Sequence, residues 1–527
     1  SDPATTGLEN LTSGESMAAS MTSDTTAVGA GTGAATGEPT GDPDSGGTTI
    51  DPDPPGIFDL PPIPDFGGSM PPVMPTCDNL DMLGPTSIGC EFWAASVPAS
   101  GGQGLGWGVS VGNPFDFDVQ VTIEDQRGPG GALRMFHQFV LGPRQSQIIN
   151  MNGNVGGVMP GENHTVPSNG PGNNVAFRIT SDSPVTAMQI NPIGGAPSFV
   201  PEASMLLPIN SLGQAYYGMG YATGWVIVVA TEDATTLNTD AGMQVLDAFD
   251  THTFSAGDPT GFFVGSDKPV AVFSGSSCTN VPAGAGWCDH IEEAVIPLAA
   301  WGTSYVAARH PHRQPVMSPT IEPVYWRVIA GVDNVTISVD PPGIVPGNQI
   351  SLASAGDWME LNSTESFYLS APDNEPFMLV QYMAGGSTVI NTPSCMPGPA
   401  VGDPYMMQMV PTEQWLTSLP FLTDDSYSMD FVILVREAGV PVEVDCLGAV
   451  DASHFDAIPG TGYEVGIVEL DIDGMGGEGA CVDGQQFMTA NEPVGVMVGG
   501  YDCAAAYGYP GGLSLDALWE PPIDPPA

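Results

Sequence analysis

Three short patterns recur along this chain in one fixed order, which restricts it to an architecture of tandem, related modules. The first is an apolar strand, a polar turn and a second strand. It runs from Val109-Ser110-Val111 through Asn113-Pro114 to Val119-Gln120-Val121, and from Val226-Ile227-Val228-Val229 through Glu232-Asp233 to Thr235-Thr236-Leu237. It returns as Trp326-Arg327-Val328-Ile329, Asp333-Asn334 and Val335-Thr336-Ile337, then as Phe431-Val432-Ile433-Leu434, Glu437-Ala438-Gly439 and Val442-Glu443-Val444. β-Branched runs around Asp, Asn, Gly or Pro are hairpin signals, so hairpins are expected here. The second pattern is an acidic or Asn-containing turn, a proline and a strand. It appears as Ser181-Asp182-Ser183-Pro184-Val185, Ser266-Asp267-Lys268-Pro269-Val270, Asp373-Asn374-Glu375-Pro376-Phe377 and Asn491-Glu492-Pro493-Val494. Proline presets the turn and sits at a strand's first residue, where no ladder donor is missed. In the third, Pro208 precedes Leu212 and Tyr216, Pro297 precedes Trp301 and Tyr305, and Pro411 precedes Trp415 and Leu419. That spacing places the apolar groups on one face of a short helical turn or irregular loop.

The repeats predict an all-β fold of tandem β-sandwich-like modules, with a propeller-like ring as the alternative. Composition agrees, because 68 glycines and 52 prolines disfavour long helices and favour strands joined by turns. The expected layout is a disordered low-complexity tether over 1–75 and a repeated all-β region over 76–515. Its units fall at roughly 90–205, 206–295, 296–405 and 406–515, and a Pro-rich tail follows over 516–527.

Sixty acidic residues stand against nine basic ones, of which Lys268 is the single lysine, for a net charge of −51. Such a chain repels nucleic acid and anionic lipid, which bind through phosphates neutralised by Lys and Arg. A saline exterior, or a surface that collects calcium or basic partners, accounts for this excess. Screening is expected to stabilise the fold: the melting temperature should rise between low salt and about 0.5 M salt, where the Debye length is about 4 Å. A flat response would mean that the charge is too dispersed to matter or is already neutralised by cations.

The eight cysteines, Cys77, Cys90, Cys278, Cys288, Cys395, Cys446, Cys481 and Cys503, include no Cys-x-x-Cys pair. An even count in an acidic, lysine-poor chain points to four disulfides and an oxidising compartment, with Cys77/Cys90 and Cys278/Cys288 the first pairs expected. No stretch reaches the roughly twenty apolar residues of a membrane span. The start at Ser1-Asp2-Pro3 reads as a mature or trimmed product, extracellular or displayed on a cell surface, with a lipid anchor at the N-terminal tail among the options.

Several stretches resemble the N-terminal domain family of the IgG-Fc-binding protein. They are Val226 to Thr236 (VIVVATEDATT), Ser266 to Gly275 (SDKPVAVFSG), Cys288 to Glu293 (CDHIEE) and Gly460 to Tyr463. The closing run Gly499-Gly500-Tyr501-Asp502-Cys503, with Tyr507 to Gly512, resembles it as well. The resemblance spans roughly 88–515 and implies an exported binding protein of the kind found in bacterial relatives, with no catalytic residues to carry over. The von Willebrand-type cysteine-rich modules that follow in the namesake are not found in this sequence, so mucus-gel assembly is not carried over; nor is an immunoglobulin ligand, because many relatives are bacterial exported proteins.

The nucleophile-elbow, His-Glu-x-x-His and P-loop patterns are absent, which lowers the expectation of catalysis. Two metal candidates stand out. His290, Glu293, His310 and His312 have zinc-ligand chemistry, although Pro311 and its surroundings read as loop. Asp471, Asp473 and Glu478 look like a fragment of a calcium loop without its full ligand set. Ordinary surface or hydrogen-bonded histidines and a solvated acidic turn are the plain readings of the same residues. Tyr216, Tyr217, Tyr221, Tyr501, Tyr507 and Tyr509 read either as an exposed contact patch or as core. Together these features predict a non-enzymatic binding or adhesion protein for an extracellular protein or glycan. A secreted metal-dependent hydrolase and a self-associating envelope or matrix component are the alternatives.

Overall fold

The computed structural model describes residues 76–80, 84–100, 106–152, 164–313, 321–388 and 401–525. The stretch 1–75 and Cys395 lie outside the described residues. Among these residues the regular structure consists of strands, which pair antiparallel, and single 3-10 turns. Residues 215–294 supply two layers. One is a sheet with Gly224–Ala230 between Thr251–Ser255 and Val270–Thr279; the other contains Thr235–Thr239. Residues 304–408 supply two more, around Val324–Ala330 and Val335–Asp340. Trp326 of one layer meets Phe367 of the other with ring centroids 5.6 Å apart. In 89–205 and 416–512 the layers share one long strand each, Phe177–Asn191 and Gln485–Asp502.

The strand pairs expected to be hairpins are not hairpins. Gly224–Ala230 and Thr235–Thr239 lie in different sheets, as do Val324–Ala330 and Val335–Asp340, so each polar turn is an arch between layers. Burial explains the difference. Every residue of Gly224–Ala230 is buried, because the strand is covered on both faces, whereas Thr235–Thr239 alternates between buried and half-buried. Two strands of one hairpin would share a pattern; an arch joins an inner strand to an outer one. Ala234 and Asn334 close two of these arches in the left-handed region, at φ 52° and 60°, and Gly439 does so at 82°.

Alternation along Gly224–Ala230 divides its side chains between two cores. Val226, Val228 and Ala230 face one, while Trp225, Ile227 and Val229 face another built largely from residues 92–187. The second sequence pattern behaves as expected at Pro269 and Pro376, which directly precede the strands Val270–Thr279 and Phe377–Tyr382. Pro184 and Pro493 instead lie inside the two long shared strands, where the pairing register shifts. The third pattern forms 3-10 turns, Ile209–Ser211, Leu298–Ala300 and Thr412–Gln414, each capped by its proline. Gly213 and Gly302 donate their N–H groups to the hydroxyls of Tyr216 and Tyr305, at 2.7 and 3.2 Å, so one local device is built twice.

Four inner strands close a cycle. Glu202–Met205 and Met406–Gln408 each pack against both Asp289–Ala294 and Ala505–Gly512. The ring feature of the alternative reading and the two-layer modules therefore occur together. The first and last parts of the all-β region fasten the cycle: Ser87 N donates to Leu513 O at 3.2 Å and Leu515 N to Pro85 O at 2.8 Å.

Candidate functional site

The strand Asp289–Ala294 carries the densest chemistry of the chain, and all six residues are buried. His290 Nε2 lies 2.9 Å from Glu292 Oε2, and its Nδ1 lies 3.1 Å from Ser276 O. Glu292 Oε1 accepts from Gln189 Nε2 at 3.2 Å. Glu293 accepts from Gln408 N at 3.2 Å and from Ser204 Oγ at 3.3 Å, and so ties three inner strands together. Glu202 does the same, accepting from Gly508 N at 3.2 Å and Met406 N at 3.3 Å. Burial pushes Glu202, Asp289 and Glu293 well above the ordinary carboxyl range; neighbouring carboxylates add to the rise. In this arrangement, carboxyls held against neighbouring backbone N–H groups join the inner strands.

His310 and His312 lie elsewhere, outside any strand. His310 Nδ1 is 2.9 Å from the Tyr501 hydroxyl; burial, helped by Arg309 and Arg313, brings its pKa down to about 3, so the imidazole is neutral. His312 pairs with Glu322, which Arg313 Nε approaches at 3.4 Å. The calcium-loop fragment also divides. Asp471 accepts from Gly474 N at 2.6 Å and Gly476 N at 2.7 Å; Asp473 is exposed; Glu478 meets His454 Nε2 at 2.6 Å. Among the described residues no group of three or more His, Cys, Asp or Glu is arranged to hold a metal ion.

The tyrosine patch is corrected. Tyr216, Tyr217, Tyr221, Tyr501, Tyr507 and Tyr509 are all buried, because Ala505–Gly512 is an inner strand and 215–221 lies between layers. The Tyr216 hydroxyl donates to Val270 O at 2.7 Å, and that of Tyr507 to Asp430.

Disulfides join Cys77 to Cys90, Cys278 to Cys288 and Cys446 to Cys481; Cys503 is also disulfide-bonded. The Cys278–Cys288 loop carries the aromatic that sequence reasoning missed. Trp287 is 56% exposed with φ 65°. A bulky residue holds that backbone conformation only where its surroundings impose it. They do so here: Gly286 N donates to Ser387 Oγ at 2.8 Å, Ser387 Oγ donates back to Gly286 O at 3.0 Å, and Gly385 N donates to Val281 O at 2.8 Å. The available signal was an indole between glycine and a bridged cysteine, a position too short and too constrained to fold into a core. A polar groove of about 510 Å³ lies elsewhere, lined by Arg144, Gln147, Val482, Asp483 and Gln485 among others.

The family described as IgGFc binding protein matches residues 202–500, more than half of the chain. The chain belongs to that family. Comparison with curated proteins and with solved structures finds no match. Membership in the IgGFc binding protein family makes this a binding-domain chain, and the disulfides agree with an extracellular setting. No helix among the described residues is long and apolar enough to cross a membrane. The match opens at the first residue of the inner strand Glu202–Met205 and takes in Trp287 and its loop, whereas one wall of the polar groove precedes it.

Proposed function

We propose that this member of the IgGFc binding protein family is a non-enzymatic adhesion protein that engages an extracellular protein or glycan through the Trp287 loop. The observation that carries the reading is one indole, more than half exposed, on a loop whose backbone is held by a disulfide and by a reciprocal pair of hydrogen bonds between Gly286 and Ser387. A pre-ordered aromatic loses little entropy on binding, and tryptophan is the residue type most enriched among binding hot spots. The buried state of Asp289, His290, Glu292 and Glu293 favours binding over hydrolysis, since each is engaged within the protein and out of a substrate's reach. Display from a surface through the N-terminal tail, lipid-anchored or otherwise, belongs to the same proposal. The test is to screen the full chain on a glycan and glycoprotein array in about 0.15 M salt, where electrostatic contacts beyond about 8 Å are screened. Saturable binding to one ligand class supports it; no binding, together with hydrolase activity or salt-dependent self-assembly in sedimentation, would replace it.

A further inference from the structure

The strand Gly242–Leu246 stands at one end of the sheet that also contains Phe263–Ser266, and it pairs along one side only, with Thr235–Thr239. Partners across an antiparallel ladder point to the same face, so Met243 shares a face with Asn238 and Val245 with Thr236. That face is the outer one, since Thr235, Leu237 and Thr239 are the buried residues of their strand. Met243 is 69% exposed and Val245 66%. The module at 304–408 shows that the fold does not require this. There the strand Gln349–Leu352 meets Val335–Asp340 in the same register, with Thr336 opposite Ser351 and Ser338 opposite Gln349, and both exposed outward residues are polar. In 89–205 the matching pair is Gln138 and Val140.

A segment of this chain already lies on the adjoining strands. Gly265 stands opposite Asn238, and a Cβ there would collide with Ile523 O. Asp524 Oδ1 then accepts from Asn238 Nδ2 at 2.8 Å. The row Gly265, Asn238, Met243 thus bears the C-terminal segment over its first two members and leaves the third exposed. Apolar edges are a liability that proteins usually blunt with charge or proline along the strand. Here the charges stand at its ends, Asp240 and Asp247, both exposed, and no Lys or Arg occurs from 211 to 267. Lys268, next in the chain, is held by Asp233 O and Glu232. A second copy would bring the same acids against these on a chain of net charge −51, so repulsion disfavours self-pairing. A basic segment suits both the charge and the apolar pair.

We propose that Gly242–Leu246 is a docking edge for an extended, basic segment of a partner protein, which adds to the sheet as a further strand. The segment's backbone completes the open ladder and its outward apolar side chains pack beside Met243 and Val245. Lys or Arg at its ends meets Asp240 and Asp247. This edge belongs to a different sheet from the strands that carry the Trp287 loop, and its test does not depend on that loop.

The probe is a fluorescein-labelled peptide, Lys-Lys-Val-Thr-Val-Thr-Val-Lys-Lys, titrated with the full chain in about 0.15 M salt, where attraction to acids beyond about 8 Å is screened. Fluorescence anisotropy is expected to show saturable binding. Met243→Gln with Val245→Ser, which installs the polar pair of the 304–408 module and leaves every charge in place, should weaken it by about tenfold or more. Both side chains are exposed, so the melting temperature should stay that of the wild type. Proline for the peptide's central valine removes a ladder donor and should weaken binding as much, and the peptide with Glu for Lys should not bind. An affinity of the double variant within about twofold of wild type would overturn the proposal, since only general attraction of a cationic peptide to an acidic chain would remain. Absence of binding up to about 1 mM peptide would overturn it too. So would a wild-type dimer in sedimentation that the double variant abolishes, which would assign the edge to a second copy.

Discussion

The melting temperature of this protein is expected to rise as the pH falls from 8 to 5, measured in chelator. Glu202, Asp289 and Glu293 sit at the centre of the ring with pKa values raised well above ordinary, burial being the first cause. Asp403, whose Oδ1 accepts from Gly386 N at 2.9 Å, is pushed by burial from 3.8 to about 7. The unfolded chain releases these protons near pH 4, whereas the folded chain retains them. Their contribution is therefore fully present below about pH 4 and is lost as pH rises through the folded values, near 7 for Asp403. For Asp403 alone the shift corresponds to roughly 4 kcal/mol. Glu322 and His310 act in the opposite sense. Glu322, brought down to about 2 by His310 and Arg313 against the effect of burial, matters only in stronger acid. His310, brought from 6.5 to about 3 chiefly by burial, costs stability below about pH 6.5 but is one group against four raised carboxyls. A melting temperature that is highest near pH 8 and falls toward pH 5 would contradict the protonated centre.

Trp301→Ala is expected to destabilise the fold by about 3–5 kcal/mol, the usual loss for truncating a buried large aromatic. Trp301 is fully buried, donates Nε1–H to Ile296 O at 3.2 Å and lies 5.9 Å from the Tyr217 ring. It follows the 3-10 turn Leu298–Ala300, so its loss opens a cavity between two successive modules that collapse cannot readily fill. Denaturant titration gives the difference directly. A loss below about 1 kcal/mol, the range of well-tolerated volume-conserving swaps, would mean that the linker turn is not part of the core.

Much of the layer structure was legible in the sequence, because it rests on local patterns. Val226 to Val229 and Phe431 to Leu434 are apolar and β-branched enough to read as strands. Pro208, Pro297 and Pro411 mark the turns that follow them, and Cys77/Cys90 and Cys278/Cys288 are neighbours in the chain. What local pattern does not contain is which strand pairs with which. A polar turn such as Glu232-Asp233 serves a hairpin and an arch equally well, and only the unbroken burial of the preceding strand separates them. The same limit hid the centre. Asp289-His290-Ile291-Glu292-Glu293 has the composition of a solvated strip, yet ring closure by four strands distant in sequence buries all of it. Tyr507 and Tyr509 alternate with glycine, as bulky side chains do where strands approach closely, and they too became inner residues only on closure.

The proposed binding role of the Trp287 loop meets its most direct test in the affinity of Trp287→Ala for whatever ligand the array identifies, beside Met475→Ala. Met475 is 81% exposed on a different turn and serves as the control for loss of an exposed apolar side chain. Because Trp287 packs into no core cluster, its truncation should leave the melting temperature close to that of the wild type. The account predicts that Trp287→Ala raises Kd about thirtyfold, the size of a roughly 2 kcal/mol hot spot, while Met475→Ala leaves it unchanged. An affinity for Trp287→Ala within about twofold of wild type, well under 1 kcal/mol, would contradict it and move the binding surface elsewhere on the protein.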